Sequence, residues 1–118
     1  MIRPKTIICD IDGVIFSHCG DITKQHLMDP VILPGVKEVW KDWDMKGYRI
    51  VLVTGRRESV RKETEEQLSK SGIFYDCLVM GVTGGDRVLI NDKKPNNETD
   101  TAFSLNLTRN GGMENVKI

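Results

Sequence analysis

The stretch Ile7-Ile8-Cys9-Asp10-Ile11-Asp12-Gly13 decides how the rest of this 118-residue chain is read. It is a nearly continuous apolar run ending in acids. That suits a strand buried on both faces, whose carboxyl end delivers polar groups to one edge of a sheet. The whole run, Thr6 to Ile11, has counterparts at Arg49 to Thr54 and Arg87 to Ile90. Further apolar runs at Asp76 to Met80 and Ala102 to Leu107 predict two more strands. Between the first two strands, Val36, Val39, Trp40 and Trp43 recur at i, i+3, i+4 and i+7. Pro34-Gly35 opens this segment and Gly47 closes it, which predicts an amphipathic helix. The charged stretch from Arg57 to Ser71 puts Val60, Thr64, Leu68 and Ser71 on one face, with Gly72 at its end, and predicts a second helix.

Strands alternating with helices imply βαβ units. The expected fold is α/β: a three-layer, Rossmann-like parallel sheet with helices on both faces, filling residues 1–118 as a single domain. Valine and isoleucine recur while alanine appears once, a bias toward strands. The 17 basic and 17 acidic residues cancel. That balance removes the broad basic surface a phosphate-backbone binder needs, so nucleic acid is not the favoured partner. Cys9, Cys19 and Cys77 are widely spaced and form no CxxC pair, as expected of reduced thiols in a cytoplasmic protein. No apolar run approaches the ~20 residues of a membrane span, and Asp10 comes too early for a signal-peptide core. The Asn-x-Thr triplets at Asn97 and Asn106 read as chance.

In open parallel sheets ligands bind beyond the carboxyl ends of the strands. Those ends carry Asp10-Ile11-Asp12-Gly13, Thr54-Gly55-Arg56 and Asn91-Asp92-Lys93-Lys94-Pro95. One aspartate after a strand is ordinarily a turn or cap residue. Three converging on one edge are another matter, because two carboxylates ~4 Å apart repel by about 4 kcal/mol at an effective dielectric of 20. A proton or a cation must lie between them: Lys93 or Lys94, or a metal ion. The available donors are oxygens, since His18 and His26 lack a partner at ligand spacing and read as loop residues. Few carboxylates with open positions suit Mg²⁺ sharing a substrate phosphate. Residues i and i+2 of a strand point the same way, so Asp10 and Asp12 can divide nucleophilic and acid–base roles. Thr54 and Gly55 can donate to phosphate oxygens, with a nearby lysine or arginine neutralising the transferring group.

These residues resemble the haloacid-dehalogenase-like phosphatases over about residues 5 to 107. The Asp10-Ile11-Asp12-Gly13-Val14 segment looks like their first motif, Val53-Thr54-Gly55-Arg56 like the second, and Ile90-Asn91-Asp92 like the acidic fourth, with Asn91 in place of one acid. The resemblance implies an aspartyl-phosphate on Asp10, with Asp12 protonating the leaving oxygen and then activating water. It implies Mg²⁺ held by Asp10, the Asp12 carbonyl and Asp92. Lys94 is the first choice for the motif-three cation, with Lys93 and Arg87 as alternatives. Gly13, Thr54, Gly55 and Arg56 would bind substrate. The insertion points, Ile15 to Leu33 and Glu58 to Arg87, are too short for a cap domain, so a large substrate or a neighbouring subunit must cover the site, with Phe16-Ser17-His18-Cys19 as a short flap.

The expected function is therefore a Mg²⁺-dependent phosphomonoester hydrolase acting on a sugar phosphate or similar small metabolite, and the late motifs look like small phosphatases of capsule or sugar-nucleotide loci. A polynucleotide 3′-phosphatase or a nucleotidase is the alternative enzyme. A receiver-like phosphoacceptor module is the alternative of another class. Its phosphorylated Asp would end a later strand, whereas Cys77-Leu78-Val79-Met80 ends without an acid.

Overall fold

The computed structural model describes residues 3–96 and 99–118. Met1, Ile2, Asn97 and Glu98 lie outside it, so the first Asn-x-Thr triplet is not described. The first half of the chain folds as its pattern dictates. Strand β1 (Thr6–Asp10) is followed by helix α1 (Val36–Met45), strand β2 (Arg49–Val53), helix α2 (Arg61–Lys70) and strand β3 (Cys77–Val79). The strands are parallel in the order β1-β2-β3, with Ile7 opposite Ile50 and Leu52 flanked by Cys9 and Leu78. This is the expected α/β, parallel-sheet class.

Register explains the core. Ile7, Cys9, Ile50, Leu52 and Leu78 share one face through the two-residue period, and all are buried. Both crossovers step the same way along the sheet, and right-handed connections then place α1 and α2 on that same face. Helix α1 contributes the four residues its periodicity marks, Val36, Val39, Trp40 and Trp43. Trp40 and Trp43 lie with ring centroids 4.9 Å apart, and the Trp40 indole N–H donates to the Phe74 carbonyl at 3.0 Å. Each such side chain removed from water contributes about 1.5–3 kcal/mol. The opposite face, which the sequence pattern expected a helix to cover, is more open: Ile8, mid-strand, is 54% exposed.

The second half departs from expectation. Neither Arg87 to Ile90 nor Ala102 to Leu107 forms a strand among the described residues. Val88, Leu89 and Ile90 are 81%, 60% and 90% exposed. The reason is local competition. The Asn91 amide donates to the Thr101 hydroxyl at 3.0 Å, and that hydroxyl donates to the Asp92 carbonyl at 3.0 Å. Side-chain bonds of this kind offer the backbone an alternative to a ladder. Lys93–Asp100 and Lys94–Asp92 pairs, all exposed, hold the same loop in water. The cost in compactness is visible: the radius of gyration is 14.9 Å, against about 13.5 Å for a compact domain of this length.

The tail returns to the body. The Met113 N–H donates to the Pro34 carbonyl at 2.8 Å and Met113 is buried. Gly112, at φ +83°, passes so close that a Cβ there would meet the Pro34 oxygen at 2.6 Å. Gly112→Ala should therefore lower thermal stability by more than the ~0.5 kcal/mol of a strain-free surface change. An unchanged melting temperature would show that the tail is not docked.

Candidate active site

Asp10 ends β1 half-buried, its Oδ1 accepting the Ile11 N–H at 2.9 Å. Burial pushes its carboxyl above the ordinary 3.8. The Ile11 N–H and Arg87 pull it back, Asp12 pushes it up again, and His18 lowers it. Asp10 is thus a poorly solvated carboxylate under the influence of Arg87 and a second acid. Cys9 beside it is inert, since burial and the Asp10 charge push its thiol up to about 12.

Asp12 is held differently. Arg56 Nε donates to Oδ2 at 2.8 Å and Nη2 to Oδ1 at 2.7 Å, with side-chain exposures of 1% and 3%. Arg56 Nη1 donates to the Thr64 hydroxyl and to Gln67 Oε1. The Thr64 hydroxyl donates a hydrogen bond to the Val60 carbonyl, and the Gln67 amide donates to the carbonyls of Gln25 and Met28. Gln25 continues the chain, accepting the Cys19 N–H and donating to the Ser17 carbonyl. A buried polar network therefore links the acid of the first motif to the loop after it. This corrects the reading of Arg56 as a substrate contact: its guanidinium is spent on Asp12. It also explains why α2 buries Thr64, Gln67 and Leu68 rather than an apolar stripe.

Thr54 is buried where β2 meets the next turn. Its N–H donates to the Val79 carbonyl at 3.0 Å, and its hydroxyl oxygen accepts the Arg56 N–H at 3.1 Å. Val82 N–H closes on the Thr54 carbonyl at 2.9 Å, and a Cβ on Gly55 would meet the Val82 oxygen at 3.2 Å. Gly13, at φ +90°, turns the chain after Asp12 with the Arg109 stem lying over it.

The structure thus brings Asp10, Asp12, Gly13, Thr54, Gly55 and Arg56 to one edge. It leaves Asp92 and Lys94 paired with each other at 3.7 Å in the open loop. The expected carboxylate triad is not assembled, because the strand meant to carry Asp92 is not formed. Among the described residues no group of three or more His, Cys, Asp or Glu side chains is placed to hold a metal ion. Of the three candidate motif-three cations, Arg87 is the one whose charge reaches Asp10. Sequence reasoning missed Gln25, Thr64 and Gln67, signalled only by being polar on the inner face of a helix. It placed His18 in a flap without giving the side chain a role, and it missed Arg109 and Asn110.

Residues 7–95 match the family described as PITM 1-3, LNS2 domain. The chain belongs to the LNS2-domain family. That is a phosphatase family of haloacid-dehalogenase-like fold. No curated protein matches the sequence. Among solved structures, this LNS2-family chain is similar to one in "Structure of Pnkp1/Rnl/Hen1 complex", with 32% identity and a TM-score of 0.59 over 72% of this chain and 30% of that one. It is similar also to one in "Structure of the Pnkp1/Rnl/Hen1 RNA repair complex", with 32% identity and a TM-score of 0.57 over 71% and 28%. A third is the D,D-heptose 1.7-bisphosphate phosphatase from B. bronchiseptica complexed with magnesium and phosphate, with 21% identity and a TM-score of 0.48 over 70% and 52%. The chain spans under a third of the length of the first two and about half of the third. No described helix is long and apolar enough to cross a membrane.

Proposed function

We propose that the chain is a Mg²⁺-dependent phosphomonoester hydrolase that forms an aspartyl-phosphate on Asp10, acting on a sugar phosphate or a similarly small phosphorylated metabolite. The observation that carries this reading is the placement of Asp10: a desolvated carboxylate at a strand's carboxyl end, within reach of the Arg87 charge, with Asp12 fixed two residues on. An Asp10 oxygen attacks phosphorus as the bond to the leaving oxygen breaks, and that oxygen takes its proton from Asp12. Water then attacks phosphorus, the bond to Asp10 breaks, and Asp12 takes the water's proton. As folded, both Asp12 oxygens are acceptors from Arg56. A proton on Asp12 would therefore take a lone pair that the fork leaves open, or displace one arm of it.

The donors suit a hard ion in kind, all being oxygens, but the set is incomplete as placed. Asp10 and the Asp12 carbonyl would hold Mg²⁺, with Asp92 completing the set only when its loop closes. The ion, when bound, would neutralise charge between Asp10 and the phosphate. Lys94 would join with the same loop; until then Arg87 supplies the cation.

A second reading has one observation in its favour: the 32% identity to a chain of an RNA repair complex supports a polynucleotide 3′-phosphate as substrate. One experiment tests both. With Mg²⁺ the protein should release phosphate from para-nitrophenyl phosphate, EDTA should abolish release, and a sugar-phosphate panel should outpace a 3′-phosphorylated oligonucleotide. The reverse ranking transfers the assignment to nucleic-acid ends. No release from any substrate removes the hydrolase reading.

A further inference from the structure

We propose that His18 is a substrate-binding residue, donating a hydrogen bond from its imidazole to the phosphate of a monoester at Asp10, and that Asn110 is the positioning residue that sets it there. The proposal deepens the phosphatase reading and rests on it. The sequence places His18 only as part of a flap and gives Asn110 no role; the placement gives a role to both. The Asn110 side chain grips the His18 backbone from both sides, its Oδ1 accepting the His18 N–H at 2.7 Å and its Nδ2 donating to the His18 carbonyl at 3.3 Å. The same residue's backbone N–H donates to the Gly13 carbonyl at 2.8 Å. Asn110 thus ties the loop after Asp12 at two points, across 92 residues of sequence.

Such a clamp demands a special residue. Asn110 sits at φ +62°, a left-handed conformation that asparagine tolerates and most side chains avoid. Glycine would accept the backbone but lose both amide bonds. The ring of His18 is oriented as well. Its Nδ1 accepts the Gly20 N–H at 2.8 Å, so the ring proton resides on Nε2 and that nitrogen is the donor left for a ligand. His18 Cβ lies 3.7 Å from where a Cβ on Gly13 would stand, which puts the residue beside the turn that follows Asp10 and Asp12. Arg109, next to the clamp, adds a cationic side chain to this rim by lying over Gly13, with its Cγ 3.1 Å from where a Cβ would stand. Contacts of this kind suit an anionic substrate.

The test uses the full-length protein with Mg²⁺ and inorganic phosphate as the probe. Phosphate affinity is read by calorimetry, and KM and kcat with para-nitrophenyl phosphate. His18→Ala should weaken phosphate binding and raise KM by about tenfold, the worth of one charge-assisted hydrogen bond, with kcat within about threefold. His18→Gln, whose amide nitrogen can replace the Nε2 donor, should restore most of the affinity. Asn110→Ala should reproduce the loss without touching phosphate, and its melting temperature identifies any general unfolding. Wild-type phosphate affinity in His18→Ala overturns the proposal, as does a His18→Gln variant no better than His18→Ala, or a wild-type protein that binds no phosphate. If His18→Ala loses affinity while the wild type cleaves nothing, the phosphatase reading fails and the binding role stands. Normal turnover with unchanged KM in His18→Ala sinks the binding role alone.

Discussion

Asp10→Asn should abolish phosphate release, by more than about 10⁴-fold as for removal of other enzymic nucleophiles, while the folded protein becomes more heat-stable. The two effects have one cause. Asp10 is a carboxylate held partly out of water, and burial is the largest influence on its titration. Nucleophiles kept in this state cost stability, and neutralising them commonly returns ~0.5–2 kcal/mol, or roughly 2–8 °C; partial exposure of Asp10 puts the gain at the lower end. The sign of the pH dependence follows. Because the folded value lies above the unfolded 3.8, the folded chain keeps this proton to higher pH, and the wild type loses stability as pH rises through that window. The asparagine variant has nothing to lose there. Without added metal, the two proteins should melt together near pH 3 and separate up to neutrality. A variant that melts below the wild type at pH 7 refutes the desolvated-nucleophile account, and a variant that still turns over refutes the nucleophile.

How much of this was legible beforehand depends on whether the physics was local. The spacing of Val36, Val39, Trp40 and Trp43 marks α1 because a helix needs one apolar stripe, and the structure buries those four. Strands β1 and β2 were legible because both are bounded by residues unsuited to continuing them. The runs at Val88 to Ile90 and Ala102 to Leu107 have the same composition, yet composition specifies a strand only when a partner edge receives it. Here Asn91 and Thr101 hold Asp92 by side-chain bonds instead. The candidate site divides the same way. Asp10, Asp12 and Thr54 follow from the ends of strands. The Arg56 fork does not, because nothing local distinguishes an arginine that meets a ligand from one that meets Asp12 across 44 residues. The polar inner face of α2 was the available sign: Thr64 and Gln67 are buried because Arg56 needs acceptors there.

Removing that guanidinium gives the second large effect. Arg56→Met should lower stability by about 3–5 kcal/mol, because it leaves the Asp12 carboxylate buried without its partner. For a chain of this length that is a fall in melting temperature of about 10 °C or more. Arg56→Lys should recover little, since an ammonium cannot reproduce two parallel N–H bonds to one carboxylate while also serving Thr64 and Gln67. Asp12→Leu alone should be comparably damaging, stranding a buried cation. The double variant Asp12→Leu/Arg56→Met decides the issue. If the loss comes from uncompensated charge, the double should be more stable than either single, with a coupling energy of at least ~2 kcal/mol. Additive losses would mean that Asp12 and Arg56 each pack independently, and that the network from Asp12 through Arg56 and Gln67 to the loop at Ser17 and Cys19 is not one unit. Activity gives an independent reading of the same pair. Because the fork sets how readily Asp12 carries a proton, Arg56→Lys should change the pH dependence of turnover more than it changes KM. A substrate contact at Arg56 would do the opposite.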